Sequence, residues 1–275
     1  MKIDLHLHTT ASDGTDAPSD VVRIAFERGF SAIAITDHDS MSGVEEAVRA
    51  GAALGVRVIP GVEISACGER EVHVLGYGMT SSETLEAHLT RMREQRSERM
   101  RQMVYRLNRI GVGITLKQAT RGATGAVGRS HLARALVYRG DARDVRDAFN
   151  RYLAPGRPAF VPREKLSVEE AIDMIREAGG ISVIAHPGQE RIEGYWNRTR
   201  LQPLIRAGLA GLECFHPAHN TQQCMELVDI CRQLGLLVTG GSDYHGTIKQ
   251  VTIGEGMNRW DTMEEDYMRF IRRMQ

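Results

Sequence analysis

The chain has 275 residues, a hydrophobic fraction of 42%, a charged fraction of 25% and a formal net charge of zero; that is enough for one large α/β domain, or a domain with an insertion, and it excludes a disordered chain. Lys2 is followed at once by Asp4, His6 and His8, which is not a signal-peptide pattern, and no long uncharged apolar run occurs, so a cytoplasmic protein is expected. Cys67, Cys214, Cys224 and Cys231 form no C-x-x-C pair and read as small buried apolar side chains in a reducing compartment.

The zero net charge hides a division. From Arg91 to Lys165 there are 18 Lys plus Arg against 6 Asp plus Glu, while the remainder holds 17 against 29. A basic surface for an anionic substrate beside an acidic part suited to cations would give this split. A solvated arginine-rich helical face would give part of it.

In chain order, Ile3 to His8 reads as a strand whose period-two alternation turns His6 and His8 to one side and Ile3, Leu5 and Leu7 to the other. Pro18 to Gly29 is a helix with proline in its first turn and a glycine stop. Ser31 to Thr36 is a buried strand leading to Asp37-His38-Asp39, and Val44 to Leu54 is a helix ended by Gly55. Val56 to Ile59 runs on as a strand to Gly61-Val62-Glu63-Ile64-Ser65, and Val72 to Tyr77 is a further strand. The alternation argues for a parallel sheet or barrel.

The pattern then changes. Ser82 to Ile110 is a long helix with apolar positions at Leu85, Leu89, Met92, Met100, Met103, Val104 and Leu107. A glycine-rich stretch follows, then helices from Arg129 to Tyr138 and from Asp144 to Tyr152, then the turn Pro155-Gly156-Arg157-Pro158. Residues 79–166 read as a helical, basic, substrate-binding insertion into a metal-binding barrel formed by residues 1–78 and 167–275. Alternation resumes with a helix capped by the Ser167/Glu170 box and a strand from Ile181 to Ala185 reaching His186-Pro187. Next come a helix from Leu201 to Ala207, a strand from Ala210 to Phe215, a helix from Gln222 to Leu234, a strand from Leu236 to Thr239 reaching Ser242-Asp243-Tyr244-His245, and a last helix from Thr262 to Arg273.

Polar residues recur at or just past the C-terminal ends of these strands: His6, His8, His38, Glu63, His186, Asp243 and His245, with His73 the exception inside its strand. In a barrel of parallel strands those ends share one face, where active sites of such folds are built. With Asp13 the set holds six histidines and three carboxylates, too many ligands for one ion. Two or three divalent ions are implied, bridged by Glu63 or another carboxylate.

His6-x-His8, Asp13-Gly14, Thr36-Asp37-His38, Gly61-x-Glu63, His73, Ala185-His186-Pro187 and Ser242-Asp243-x-His245 together resemble the ordered motifs of the PHP (polymerase and histidinol phosphatase) family of metal-dependent phosphoesterases. The resemblance implies a distorted seven-stranded β/α barrel. It also implies one metal on His6, His8, Glu63 and Asp243, a second on Glu63, His73 and His186, and a third on Asp13, His38 and His245. Asp13 stands where some members have histidine. The helical insertion resembles the branch that removes the 3′-phosphate of nucleoside 3′,5′-bisphosphates, such as adenosine 3′,5′-bisphosphate, and trims short oligonucleotides from the 5′ end. Within it, Arg129-Ser130-His131 and the turn at Arg157 resemble the substrate-binding segment.

Two close ions would ready a hydroxide between them and neutralise the phosphoryl oxygens, so direct attack without a covalent enzyme intermediate is expected. Asp13, His38, Glu63, Asp243 and His216 are the catalytic candidates. Imidazole with carboxylate suits Mn²⁺, Zn²⁺ or Fe²⁺ better than Mg²⁺, and manganese is favoured. Arg129, Ser130, His131 and Arg157 would clamp a phosphate; their alternative is a helix cap and surface arginines. His216 could protonate the leaving oxygen, and His216 and His219 would touch substrate or lie on the surface. His88, on the long helix, is expected to be structural. No membrane and no stable protein partner are expected. The rivals are a histidinol phosphate phosphatase, a non-catalytic PHP module, and a C–N amidohydrolase. The last, many of whose binuclear members bridge their metals with a modified lysine at a strand end, is disfavoured because none of Lys2, Lys117, Lys165 and Lys249 falls at a predicted strand end.

Overall fold

The structure, a computed structural model, describes residues 1–69, 71–164, 166–189, 194–256 and 264–274. Seven strands form one sheet in sequence order: β1 (Lys2–Leu7), β2 (Phe30–Ile35), β3 (Arg57–Cys67), β4 (Glu71–Tyr77), β5 (Ile181–Ile184), β6 (Leu209–Phe215) and β7 (Leu237–Gly240). The sheet curls until its first and last strands meet at one end. There the Asp243 N–H donates to the His6 carbonyl at 2.9 Å and the His8 N–H to the Tyr244 carbonyl at 2.9 Å. This is the distorted seven-stranded α/β barrel expected, with one difference. β4 runs antiparallel to both β3 and β5, while every other neighbouring pair is parallel. Only residues 68–70 join β3 to β4, too short a link for the crossover that parallel neighbours require.

The reversal explains the apparent exception among the histidines. His73 lies near the start of β4, and in an antiparallel strand the start is at the rim where its neighbours end; the Ala185 N–H, just past β5, donates to the His73 carbonyl at 3.0 Å.

Helices α1 (Pro18–Glu27) and α2 (Val44–Leu54) cover β1 and β2 through Val21, Val22, Ala25 and Ala47. α2 stops at Gly55, whose φ of 77° is the left-handed value that glycine adopts without cost. α3 (Glu83–Arg109) starts at a Ser82 cap and divides its apolar face. Leu85, Leu89 and Met92 join the barrel core, while Met100, Met103, Val104 and Leu107 join a separate core with α4 (Leu116–Ala119), α5 (Arg129–Tyr138), α6 (Val145–Ala148) and the π-helical turn Phe149–Leu153. The third expected helix of this region is thus an α-turn continued as a π-turn. α7 (Val168–Glu177), α8 (Arg198–Ala207), α9 (Thr221–Leu234) and α10 (Glu264–Arg273) complete the barrel's outer layer, and residues 262–263 of the last expected helix lie outside the described residues. The Ser167/Glu170 capping box forms as read.

Cys214, Cys224 and Cys231 are buried and free, but Cys67, at the outer end of β3, is exposed. The arginine excess of α3 to α6 is partly paired internally: Arg93 with Glu86, Arg101 with Glu98, Arg139 with Asp141, and Arg143 and Arg151 with Asp147. No helix among the described residues is long and apolar enough to cross a membrane.

Candidate metal centre

Six of the seven strands, or the loops that follow them, deliver a side chain inward at the rim. β1 supplies His6 and His8 and its following loop Asp13; β2 leads to His38, β3 carries Glu63, β4 His73, β5 leads to His186 and β7 to Asp243 and His245. Three of the rim residues, Asp39, His186 and Asp243, have φ of 49°, 31° and 53°, unusual for residues with a Cβ and typical of backbones held for function. At Gly241 any Cβ would lie 2.2 Å from that of His6, so the Gly240-Gly241 approach of β7 to β1 requires glycine.

The outer hydrogen bonds fix which ring nitrogen of each histidine faces inward. His6 Nδ1 donates to Glu213 Oε1 at 3.0 Å, and His245 Nδ1 donates to the Asp243 carbonyl at 2.8 Å. Ser12 Oγ gives its proton to Asp37, so it accepts from His8 Nδ1 at 3.3 Å. All three rings therefore present the lone pair of Nε2 to the interior. His6 Nε2 and His8 Nε2 stand 3.1 Å apart with Glu63 Oε2 at 3.5 and 3.2 Å and Asp243 Oδ1 at 3.6 and 3.3 Å. His245 Nε2 faces Asp13 Oδ1 at 3.3 Å. Lone pairs facing lone pairs repel unless a proton or a cation lies between them.

Glu63 sits at the middle of the cluster. Its Oε2 faces His6, His8 and His38, the last at 2.8 Å, and its Oε1 faces His73 at 2.8 Å and His186 at 3.1 Å. One carboxylate oxygen on each side is the arrangement of a bridging ligand. Among the described residues, Asp13 Oδ1, His38 Nδ1 and Glu63 Oε2 are buried side-chain atoms without a hydrogen-bond partner. Such orphaned acceptors are costly unless a cation completes them, so the donor set fits divalent ions. Three groups have ligand atoms within 4.8 Å of one another: His6, His8 and Asp243; His38, Glu63 and His73; and His8, Asp13, His38 and His245. His8 and His38 each belong to two groups, a more interlocked partition than the one implied by resemblance.

The protonation equilibria show the same field. Burial opposes a charge on His8, but the Asp243 and Glu63 carboxylates facing its Nε2 prevail and raise it to about 9; burial likewise opposes His73, which Glu63 and then Glu71 raise to about 9. Against the cost of burial, His245 and His38 hold Asp13 well below the usual carboxylate range, and His38, His73 and His6 do the same for Glu63. Burial prevails at His38 and His186, lowering each to about 4. Without metal, the cavity holds protons where cations would sit.

Residues 4–155 match the PHP domain. The chain is 37% identical over 251 residues to a 3′,5′-nucleoside bisphosphate phosphatase of Chromobacterium violaceum, covering 88% of this chain and 87% of that protein. The chain belongs to the PHP domain family. It is also 35% identical to a 5′-3′ exoribonuclease of Escherichia coli K12, over 91% of this chain and 87% of that one. A solved structure described as a metal-dependent phosphoesterase of Bifidobacterium adolescentis superposes with a TM-score of 0.89 at 33% identity, covering 98% of this chain and 96% of that one.

The sequence reading of this PHP centre missed its supports. Glu213, fully buried on β6, holds His6 and accepts the His186 backbone N–H at 2.7 Å; a charged residue inside the apolar run Leu209–Phe215 was the available signal. Asp37 accepts from the Thr9 N–H and from the hydroxyls of Thr9 and Ser12, fixing the loop after β1. Asp39 accepts from Arg96 Nε at 2.6 Å and Arg163 Nη1 at 3.1 Å, joining α3 and the strap before α7 to the rim. Lys249, absent from every strand end, nevertheless reaches the centre as an ammonium paired with Asp243. It is held charged there, unlike the bridging lysine of an amidohydrolase.

The expected substrate-side residues divide. The loop before α5 lies on the Asp13 loop, where the Ala126 N–H donates to the Ala11 carbonyl at 3.1 Å and a Cβ on Gly125 would meet that carbonyl oxygen at 1.9 Å. The contact brings the start of α5, with Arg129, Ser130 and His131, beside the PHP centre. His131 is buried, its Nδ1 accepts from the Gly128 N–H, and its Nε2–H has no partner among the described residues. Burial lowers its pKa to about 4, so it offers a neutral donor. Arg129 lies over the Phe149 ring, reaches Glu71 at 3.5 Å and lines a cavity with His73 and His186. Arg134, further along α5, is a cation that the sequence reading omitted; its charge is felt by Asp13.

Arg157 is exposed in its turn, where its backbone N–H donates to the Ala154 carbonyl. His216 is buried, with Nδ1 accepting from the Ala218 N–H at 3.0 Å and Nε2 3.4 Å from Asp243 Oδ2. His219 has both ring nitrogens engaged by backbone, Nδ1 donating to the Cys214 carbonyl and Nε2 accepting from the Gly188 N–H. It ties two rim loops together. His88 is exposed on α3 and takes no part in packing the core.

Proposed function

We propose that this PHP protein is a metal-dependent phosphoesterase that hydrolyses the 3′-phosphate of nucleoside 3′,5′-bisphosphates, giving AMP and phosphate from the adenosine compound, and that it trims short oligonucleotides from the 5′ end. The observation that carries the reading is the inward-facing cluster of His6, His8, Asp13, His38, Glu63, His73, His186, Asp243 and His245 set directly against the first turn of α5. The kinship with a bisphosphate phosphatase and an exoribonuclease over most of the chain supports it.

In this reading the nine residues hold two or three divalent ions, manganese being the best match to mixed imidazole and carboxylate donors, with zinc or iron next. Ions so held would supply a water that ionises near neutral pH and positive charge for the phosphoryl oxygens. Glu63 would hold ions on both of its oxygens, and Asp13, His38 and Asp243 would hold them at the reacting face. The protein's own part is positioning. The N–H groups of the first turn of α5, the Arg129 guanidinium and the neutral His131 Nε2–H converge on an anion beside the centre. Arg157, Ser130 and the basic residues 79–166 extend that surface. His216, whose Nδ1 accepts from the Ala218 N–H and whose Nε2 lies 3.4 Å from Asp243 Oδ2, would offer its Nε2–H as a hydrogen bond to a substrate oxygen, since giving that proton away would leave an imidazolate.

The test is turnover of adenosine 3′,5′-bisphosphate, a 5′-phosphorylated trinucleotide and histidinol phosphate by the purified, metal-supplemented protein, with Asp243→Ala as control. AMP and phosphate should form from the first, AMP from the 5′ end of the second, and neither with Asp243→Ala. Turnover of histidinol phosphate alone would replace this reading with its nearest enzymatic rival.

A further inference from the structure

Two cavities open at the rim. One, of about 380 Å³, is bounded by Glu71, His73, Arg129 and His186 and so adjoins the metal centre. The other, of about 690 Å³, extends outward over the loops that follow β5 and β6. They adjoin, with Pro187, Tyr195 and Trp196 shared between their walls.

Their chemistry differs. The inner cavity has cationic Arg129 on its wall, whereas the described residues lining the outer one include no Lys, Arg or His and a single charged residue, Glu226. Among the described lining residues a phosphate would find no cation to pair with. The outer wall is instead aromatic and aliphatic, and its carboxamides are tied down: Asn220 and Asn197 cap α9 and α8, and Gln223 Nε2 donates to the Gly188 carbonyl at 3.0 Å. The aromatic pair is braced as well. Tyr195 meets Trp196 edge to face with centroids 5.2 Å apart, and the Arg200 guanidinium lies 4.3 Å from the Tyr195 ring centre while bonded to Glu69.

A braced aromatic wall in a cavity with no described cation suits a flat heterocycle. A 3′,5′-bisphosphate carries one base, and a cavity the size of the inner one accommodates one nucleotide. The outer cavity is surplus to that substrate, yet it begins where an oligonucleotide would continue. We propose that the outer cavity is the subsite for the nucleobase on the 3′ side of the scissile linkage, stacked against Trp196. The proposal rests on the phosphoesterase reading above and adds to it what separates oligonucleotide from bisphosphate turnover.

The experiment compares kcat/KM for the 5′-phosphorylated dinucleotide pApA and for adenosine 3′,5′-bisphosphate in the wild type, Trp196→Ala and Trp196→Phe. Trp196→Ala should lose about ten-fold more on pApA than on the bisphosphate, the size of one lost base–aromatic stack, while Trp196→Phe keeps most of both. Equal loss on both substrates, or loss on neither, overturns the proposal. A second measurement does not depend on activity. The chain has two tryptophans, Trp196 and Trp260, so metal-free Trp260→Phe protein reports Trp196 fluorescence alone. pApA should quench it more strongly than the bisphosphate does; equal quenching by both, or none by pApA, overturns the subsite. If neither substrate is turned over but pApA still quenches, the phosphoesterase reading fails and the base-stacking cavity stands.

Discussion

At the scale of single residues, this centre is organised from behind. Glu213 touches no face of the reacting cavity, yet it determines which nitrogen of His6 carries the proton and anchors the His186 backbone at the same time. Glutamine at this position keeps the shape but provides only one accepting oxygen for two donors. His6 can then turn its proton inward, where a cation should sit. Outer partners of metal-bound histidines are typically worth ten- to hundred-fold in affinity. Glu213→Gln should therefore weaken metal binding by roughly that factor, with most of kcat recovered at saturating metal. Competitive titration against a fluorescent chelator measures it, and wild-type affinity in the variant would rule out the supporting role.

At the scale of elements, Asp39 joins parts distant in sequence. Its carboxylate is fully buried between Arg96 of α3 and Arg163 of the strap before α7, and a further N–H from Ser65 of β3 completes it. Burial opposes its ionisation, but the two guanidinium groups prevail and lower it to about 2. The folded value lies below the ordinary 3.8, so its stabilisation is complete above about pH 4 and is lost as pH falls toward 2. Asp39→Asn would leave two buried cations sharing a neutral amide, a loss of about 3–5 kcal/mol by the usual cost of breaking a buried pair. Thermal unfolding should show it, with amide exchange rising first along α3; an unchanged melting temperature would contradict the coupling. The same residue marks how far the sequence could be read. Helices and strands were legible where period and caps agreed, as at Ser82, Pro18 and the Ser167/Glu170 box, and the centre was legible because its ligands follow strand ends. Asp39 was not, since a residue that bonds across 57 and 124 positions leaves no local pattern, and Glu213 showed only as a lone charge inside the apolar run Leu209–Phe215. The direction of β4 was recoverable, because the short link at residues 68–70 forbids a parallel crossover. The π-turn at Phe149–Leu153 was not, since its periodicity differs too little from that of an α-helix.

For the whole molecule, the centre is the point where the curled sheet closes. Six of the seven strands, or the loops that follow them, place a ligand there, and the β1–β7 seam is held at the rim by hydrogen bonds at His6 and His8. Ions bound only by the folded chain stabilise all of it together, by about 4 kcal/mol at a thousand-fold excess over the dissociation constant. For a chain of this size that corresponds to a rise of roughly ten degrees in Tm. Protons compete for the same cavity, and the sign follows from the raised histidines. His8 and His73, at about 9 in the metal-free protein against an ordinary 6.5, stabilise that form fully below about pH 6.5 and lose the effect as pH rises through 9. Metal must displace those protons, so its affinity rises over the same window. The melting temperature of EDTA-stripped protein should therefore fall between pH 7 and 9 while that of the manganese-loaded protein holds. The gap between them should be small at pH 6 and widest near pH 9. Differential scanning calorimetry of both forms across this range is decisive. A gap independent of pH would mean that the ions sit elsewhere than among these imidazoles, and no gap at all would mean that the barrel closes without them.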